Sequence, residues 1–186
     1  RPVYLVAGNT TVGLISFETE TRSHAAEADK PGVFHVPLGD EADSILGPVI
    51  KEARYHADLV VVSPHWGLNW KEVPSQPIRR LGKRLIDLGA DAGLGHGAHI
   101  LQGIEVHRGC PVVYDMGGLI FDRNSQSRMR QSAVFELGFN REGIKALAVH
   151  PISLMQNATT SATGETAHKI RDLVERLSTD LGSKIA

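Results

Sequence analysis

The feature that most constrains the fold is an alternation of short apolar runs with longer amphipathic segments between Val12 and Gly95. Leu59–Ser63 is a continuous run of Leu-Val-Val-Val-Ser, which is typical of a strand buried on both faces. Two segments with helical spacing of their apolar residues, Asp40–Ala57 and Gln76–Leu88, lie between such runs. The order strand, helix, strand, helix, strand predicts a parallel sheet with right-handed crossovers.

Further strands are predicted outside this core, and they are connected as hairpins. One pair is joined at Gly8-Asn9, and another surrounds Asn140–Gly143. The sheet is therefore predicted to be mixed, and the fold class is α/β, with α+β as the alternative. Gly47-Pro48 interrupts the first helical segment, so we expect its main helix to begin at Pro48, and Glu165–Leu181 is predicted as a closing helix. The predicted strands are Val3–Val6, Val12–Phe17, Leu59–Ser63, Ala92–Gly95, Ile104–His107, Val112–Tyr114, Ala133–Phe139 and Ile144–Val149.

The composition fits one globular domain of 186 residues and argues against several protein classes. The 20 Lys and Arg balance 21 Asp and Glu, whereas a nucleic-acid-binding protein would normally show a basic excess. No run approaches about 18 apolar residues, and no basic stretch followed by an apolar segment opens the chain. We therefore expect no membrane contact by this chain and a cytoplasmic location. Because the chain opens Arg1-Pro2-Val3 with no Met, on a predicted strand, we expect a fragment whose N-terminal part is absent.

Polar side chains follow three of the predicted strands at the point where each strand ends. His65 follows one strand, His96 and His99 follow the next, and Asp115 follows a third. Ligands of open parallel sheets bind outside the carboxyl ends of the strands, so these four residues are expected at one rim of the sheet. Histidine suits metal ligation and also acid/base chemistry near neutral pH.

Each of these residues also has a structural interpretation. A lone histidine after a strand, such as His65, is often a capped or surface residue, and Asp115 is equally typical of a turn or a helix cap. The pair His96 and His99 is more distinctive, since the glycines on both sides of His96 permit a close approach of backbone. The histidines in polar or helical surroundings are interpreted as surface residues; they are His24, His35, His56, His150 and His168.

Four stretches of the chain, in their order and spacing, resemble the CapA family of poly-γ-glutamate capsule-biosynthesis proteins, which is related to the calcineurin-like metallophosphoesterases. The resemblance covers roughly Arg1 to Ala186 and is sharpest from Ser63 to Asp122. The stretches are Ser63-Pro64-His65-Trp66-Gly67, Leu85-Ile86-Asp87-Leu88-Gly89-Ala90-Asp91, Gly95-His96-Gly97-Ala98-His99-Ile100-Leu101-Gln102-Gly103-Ile104-Glu105 and Pro111-Val112-Val113-Tyr114-Asp115-Met116-Gly117.

The resemblance implies a calcineurin-like αββα sandwich, with residues 1–186 as a single domain that forms its C-terminal half. It implies a site for divalent metal ions (Mn, Mg, Zn or Fe) with His65, His96 and His99 as ligands, and His96, His99 and Asp115 as candidate catalytic residues. The family's Asp and Asn/His motifs, which normally supply further ligands, would belong to the N-terminal half of the same domain. Relatives usually carry Asn or Asp at the position of Gly118, so loss of metal binding is a further expectation.

Three functions remain open from the sequence. The first is a metal-dependent hydrolase of a phosphoester or related bond, with a small-molecule or peptide substrate. The second is a metal-independent acid/base enzyme on the same rim, such as a peptide epimerase in natural-product biosynthesis. The third is a non-catalytic component of poly-γ-glutamate assembly. An acidic polymer would require a basic surface, for which the helix face Arg79–Arg84 is a local candidate, although its simplest interpretation is a solvated face.

Overall fold

A computed structural model describes residues 1–120, 127–155 and 158–185. Two residues that mark C-terminal ends of the sequence resemblance lie outside the described residues. They are Asp122, the end of its sharpest part, and Ala186, the end of the whole. The main elements are β1 (Val3–Ala7), β2 (Thr10–Glu18), α1 (Glu41–His56), β3 (Leu59–His65), α2 (Gln76–Asp87), β4 (Ala92–Leu94), β5 (Ile104–His107), β6 (Cys110–Val113), β7 (Gln131–Asn140), β8 (Gly143–Met155), β9 (Ala158–Ser161) and α3 (Gly164–Asp180).

The larger sheet has six strands in the order β1-β2-β3-β4-β6-β5. The four central strands β2, β3, β4 and β6 run parallel to one another, and the two edge strands pair antiparallel to their neighbours. The parallel core and the hairpin-connected edges confirm the mixed α/β sheet that the sequence predicts. The carboxyl ends of β3 and β4 lie side by side, which brings the segments following them together.

Helices α1 and α2 cover one face of this sheet. Their apolar stripes fit the 3.6-residue period, and the alternating inward residues of the strands complete the core. No helix in the described residues is long and apolar enough to cross a membrane. The buried residues of this layer include Ile15, Phe17, Leu46, Ile50, Val60, Val62, Leu81, Leu85, Val112 and Tyr114.

The expectation that the first helix begins at Pro48 is wrong. Helix α1 begins at Glu41 and continues through Pro48. A proline inside a helix removes one backbone donor and crowds the preceding turn. The preceding turns nevertheless remain helical because Ala42 and Leu46 are almost completely buried in the core, at 1% and 0% exposure.

The second sheet has three strands, β7-β8-β9, and packs over the β5 and β6 side of the other face. Strand β9 was not predicted, because its sequence Ala-Thr-Thr-Ser has no apolar alternation and all four residues are exposed. Helix α3 packs against β5, β7 and β8, where the two sheets meet. The residues buried in this second core are Leu101, Ile104, Val113, Ala133, Ile170 and Val174.

Candidate functional site

The histidines at the carboxyl ends of β3 and β4 face each other. His65 is the last residue of β3, and His96 comes two residues after the end of β4 and forms a parallel bridge with it. Their Nδ1 atoms are 3.0 Å apart, and the two rings meet edge to face at a centroid distance of 5.0 Å. The predicted placement of these residues on neighbouring strands is therefore confirmed.

Asp115 and His99 belong to the same rim. His99 lies on the turn beyond His96, and Asp115 comes two residues after the end of β6 and reaches this turn with its carboxylate. Asp115 is 1% exposed and accepts backbone hydrogen bonds from Ala98 and Gly117 through its two carboxylate oxygens. The backbone N–H of His99 also donates to this carboxylate. His99 itself has a positive φ of 60°, an unusual conformation for a residue with a Cβ. Asp115 therefore acts as a turn-holding residue that fixes the segment carrying both histidines.

The glycines around His96 are required by a close contact with Trp66. Trp66 is 1% exposed and donates its indole N–H to the carbonyl of Tyr114 at 2.8 Å. A Cβ on Gly95 would clash with this indole, and a Cβ on Gly97 would clash with the Trp66 backbone. Gly97 also has a φ of 131°, which favours glycine. The close backbone approach expected from the sequence is thus real, and its partner is a core tryptophan.

Burial changes the proton affinity of two groups at this rim. The pKa of His96 is lowered, first because burial disfavours its charged form and then because His65 and His99 would repel it. Burial raises the pKa of Asp115 to about 7, although the backbone donors around it act in the opposite direction. At neutral pH His96 is therefore neutral, with a lone pair available to a metal ion or a proton.

Sequence reasoning missed two residues of this rim, Glu18 and His35. Glu18 is the last residue of β2 and aligns with His65, and His35 forms a parallel bridge with Glu18. The interpretation of His35 as a surface residue is wrong, since its side chain is 9% exposed. Glu18 directly follows the predicted strand Val12–Phe17, and His65 comes shortly after the predicted strand Leu59–Ser63. This position at a strand end was the available signal for Glu18. His35 gave no such signal, because nothing in the sequence around it shows that this segment pairs with the end of β2.

A groove of about 490 Å³ lies along this row of residues. It is open to solvent on one side and combines two imidazoles and one carboxylate with apolar walls. The lining residues are Ser16, Phe17, Glu18, Val33, Phe34, His65 and His96.

The histidine pair fits part of a metal site. Two nitrogens bound at right angles, each about 2.1 Å from one ion, lie about 3.0 Å apart, which matches the separation of the two Nδ1 atoms. In the part of the chain that the structure describes, no group of three or more His, Cys, Asp or Glu side chains is arranged to hold a metal ion. His65 and His96 can thus supply two ligands, and further ligands have to come from elsewhere.

The basic face of α2 is less open than the sequence suggests. Arg79 and Lys83 both pair with Glu105, a carboxylate only 5% exposed, at 2.7 and 2.9 Å. Arg84 pairs with Asp43 of α1. The interpretation of this face as simply solvated is wrong for Arg79, whose side chain is 21% exposed. Lys83 and Arg84 are solvated as expected, at 41% and 47% exposure, but their charges are also matched by acidic partners.

Comparison with known proteins identifies a family and several relatives that are similar to this chain in sequence. Residues 1–123 match the family described as "Bacterial capsule synthesis protein PGA_cap". The PGA biosynthesis protein CapA of Bacillus subtilis is 32% identical over 178 residues, covering 95% of this chain and 45% of that protein. The capsule biosynthesis protein CapA of Bacillus anthracis is 32% identical over 108 residues, covering 58% of this chain and 26% of that protein. The chain thus spans less than half the length of these two curated relatives.

A solved structure supports the fold. The crystal structure of a "Putative 5'-Nucleotidase" from Staphylococcus aureus, in complex with alpha-ketoglutarate, matches 94% of this chain and 33% of that chain, with a TM-score of 0.50 and 19% identity. This likeness confirms the calcineurin-like metallophosphoesterase fold that the sequence resemblance implies. By the match over residues 1–123, the chain belongs to the bacterial capsule synthesis protein family PGA_cap, to which the CapA proteins are related.

Proposed function

We propose that this chain carries the histidine side of a metal-dependent hydrolase site that acts on a phosphoester or a related bond. The observation that carries this proposal is the 3.0 Å approach of His65 and His96 at the ends of adjacent parallel strands. The fold shared with a nucleotidase-like structure supports the same reaction class. The substrate is a small molecule or a peptide, as expected from the sequence.

The residues of the rim have distinct roles in this proposal. His65 and His96 would hold a divalent ion (Mn, Mg, Zn or Fe), with His99 as a further ligand or as an acid for the leaving group. A bound divalent ion supplies an activated water and neutralises charge on a phosphoryl group. Asp115 fixes the turn that presents His96 and His99, through the backbone hydrogen bonds that it accepts.

The remaining ligands are proposed to lie in an N-terminal half of the same domain, with residues 1–186 as the C-terminal part. Two observations support this arrangement. The curated relatives are more than twice as long as the matched region. Strand β1 leaves Val3, Leu5 and Val6 exposed at 56%, 53% and 78%, as expected of a strand that further chain would cover. A structure of a longer polypeptide tests this directly, since β1 should be buried there.

The test of the hydrolase combines metal analysis with turnover. The longest natural form of the protein is purified, its metal content is measured, and generic phosphodiesters are offered with each candidate ion. His65→Ala and His96→Ala should each lower metal content and hydrolysis, whereas His150→Ala, on an exposed side chain, should change neither. Absence of both bound metal and hydrolysis in the unaltered protein would contradict the proposal.

The second candidate is metal-independent acid/base catalysis, such as epimerisation of a peptide. It is favoured by one observation, namely that the described residues offer two facing imidazoles but no set of three metal ligands. A neutral His96 could take a proton from carbon, and an acid across the substrate could return one. Activity that persists in chelator, with deuterium entering the product from heavy water, would support this candidate over the hydrolase.

A non-catalytic role in capsule assembly is the third possibility, suggested by the printed names of the Bacillus relatives. The pairing of Arg79, Lys83 and Arg84 with acidic residues leaves this helix face poorly suited to an acidic polymer. Binding of poly-γ-glutamate without any turnover would favour this role. The cytoplasmic location stays a prediction that cell fractionation can check.

A further inference from the structure

A second tryptophan lies beside the histidine rim, on the loop that follows β3. Trp70 is 51% exposed, whereas Trp66, which precedes this loop, is buried in the core. Leu68 and Val73 of the same loop are also exposed. Single apolar residues at a surface are common, but three large ones in one short loop beside a candidate site indicate a surface that binds another group.

The loop is fastened to the turn that carries His99. The backbone N–H of Trp70 donates to the carbonyl of Ala98 at 2.8 Å. The N–H of the same peptide bond, that of His99, donates to Asp115. The buried side chain of Gln102 adds a second tie, since its Nε2 donates at 2.7 Å to the carbonyl of the residue after Trp70. The backbone of Trp70 is therefore held against the turn that carries His99.

The backbone conformation of Trp70 is strained. Its φ is 60°, and His99, across the hydrogen-bonded peptide, has the same value. This left-handed conformation is unfavourable for a residue with a Cβ, and a bulky side chain in it is an outlier. Burial does not explain a tryptophan here, because half of its side chain is exposed. Strained residues cluster at active sites and ligand-binding loops, so the position indicates a role in binding.

The surroundings of Trp70 indicate which group its indole binds. The face of an aromatic ring attracts either a cation or another flat ring. A cation is disfavoured here because the next residue, Lys71, is exposed and positively charged. The divalent ion proposed for His65 and His96 would add further positive charge beside the loop. An uncharged planar ring is the group that fits both the indole and its exposed apolar neighbours.

We infer that Trp70 stacks on an uncharged planar ring of the substrate, beside the histidine rim. The inference rests on the proposed function, which places the reacting bond at His65 and His96. It narrows the substrate class to phosphoesters or related molecules that carry a flat aromatic or heteroaromatic ring. Because the backbone of Trp70 is already fixed on the turn, little conformational freedom is lost when the ring binds.

The experiment uses adenosine and ribose as a matched pair of uncharged probes, of which only adenosine has a planar ring. Amide and indole N–H signals of the longest natural form of the protein are followed by NMR at neutral pH with chelator. Adenosine should shift the Trp70 indole signal, which is identified by its loss in Trp70→Phe, and ribose should not. Trp70→Leu removes the ring and should weaken adenosine binding about 5- to 150-fold, the usual effect of losing one stacked base. Trp70→Phe keeps a ring and should weaken it less.

Two controls separate stacking from damage to the fold. The indole N–H of Trp66 donates to the carbonyl of Tyr114 in the core, so its slow exchange with water in the Trp70 variants shows that the core beneath the turn is intact. Tyr55→Leu is the matched control at another exposed aromatic residue. Tyr55 lies at the C-terminal end of α1, which leads into the amino end of β3, opposite to the rim. This variant should bind adenosine as the unaltered protein does.

A Trp70 indole signal unchanged by adenosine would overturn the inference, and so would ribose binding as tight as that of adenosine. An adenosine affinity unchanged in Trp70→Leu, or a Trp70 indole shielded from water in the longest form, would also overturn it. If Trp70→Leu does not fold, the response of the indole in the unaltered protein decides. The probes carry no phosphate and need no metal. Failure here is therefore distinguishable from failure of the hydrolase proposal, which is judged by metal content and phosphodiester hydrolysis.

Discussion

At the scale of single residues, the chemistry depends on which atoms of the rim face one another. His65 and His96 present their Nδ1 atoms to each other at 3.0 Å, so either one carries a proton that the other accepts or both bind a common ion. His99 is positioned differently from His65 and His96. It has a positive φ itself and lies on the turn that Asp115 holds. The two histidines of the His96/His99 pair therefore need not be equivalent.

Alanine substitution of each member of this pair separates the two enzymatic mechanisms. In a metal site both His96→Ala and His99→Ala should abolish activity, with partial rescue by excess metal, because each variant opens the coordination shell. In a metal-free site only one should be essential, because a single base carries the proton. The measurement is the rate of the intact protein with and without chelator. If neither change affects any activity, the assignment of this rim as the active site is wrong.

Asp115→Asn tests the turn that carries the pair. Asparagine keeps one acceptor oxygen but turns an NH2 group toward backbone N–H groups that now bond to the carboxylate. We expect a loss of about 1–3 kcal/mol in the free energy of unfolding, the usual cost of leaving buried donors unsatisfied. Denaturant unfolding provides the measurement. Stability equal to that of the unaltered protein would show that the turn does not depend on this carboxylate.

At the scale of elements, the two edge strands of the large sheet differ in how far they are covered by the rest of the chain. The free edge of β5 is closed by serine hydroxyls, since Ser178 accepts the N–H of Ile104 at 2.9 Å and Ser183 accepts that of Val106 at 2.8 Å. Strand β1, at the other edge, has five exposed residues. An edge whose donors are satisfied by side chains cannot add another strand there. The sheet can therefore be extended at β1 and not at these positions of β5.

Ser178→Ala should weaken the attachment of α3 to this edge. It would leave the N–H of Ile104 buried without a partner, so we expect a loss of about 1–3 kcal/mol in unfolding free energy. Thr179→Ala is the matched control, because Thr179 makes the same kind of bond to the carbonyl four residues earlier but is exposed. Thermal unfolding of both variants checks this. Equal effects of the two changes would contradict the edge-closing role.

At the scale of the whole molecule, a buried ionic cluster joins α2 to the sheet edge. Glu105 of β5 accepts hydrogen bonds from Arg79 and from the hydroxyl of Tyr114, at 2.7 and 2.6 Å, and pairs with Lys83. Burial alone would raise the pKa of Glu105, but these donors outweigh it and lower the pKa from 4.5 to about 2. Arg79 also donates to the carbonyl of Leu181, which ties α3 to the same cluster.

Glu105→Gln should therefore destabilise the protein in a pH-dependent way. A carboxylate with a depressed pKa adds stability that is present above pH 4.5 and is lost as the pH falls toward about 2. We expect the variant to be less stable by about 3 kcal/mol above pH 5, with the difference shrinking below pH 4.5. Unfolding curves from pH 3 to pH 7 provide the measurement. Glu142→Gln, at a carboxylate 80% exposed, is the control and should show no such trend.

The sequence alone determined the parallel core, the closing helix and the placement of His65, His96 and Asp115, because local periodicity and strand ends are properties of neighbouring residues. The fold family also followed from local motifs. The course of α1 through Pro48 did not, since burial of Ala42 and Leu46 decides it and burial depends on distant partners.

Only the tertiary structure placed Glu18 and His35 in the rim and turned part of the basic face of α2 toward Glu105. The residue pairs involved, Glu18–His35 and Arg79–Glu105, are far apart along the chain, and the members of the second pair are 26 positions apart. Their contacts arise from sheet register and from the docking of a helix on the sheet. Sheet register and helix docking leave no periodic signal in the sequence. The partner of a residue depends on where distant segments lie in the fold, and not on the residues next to it in the chain.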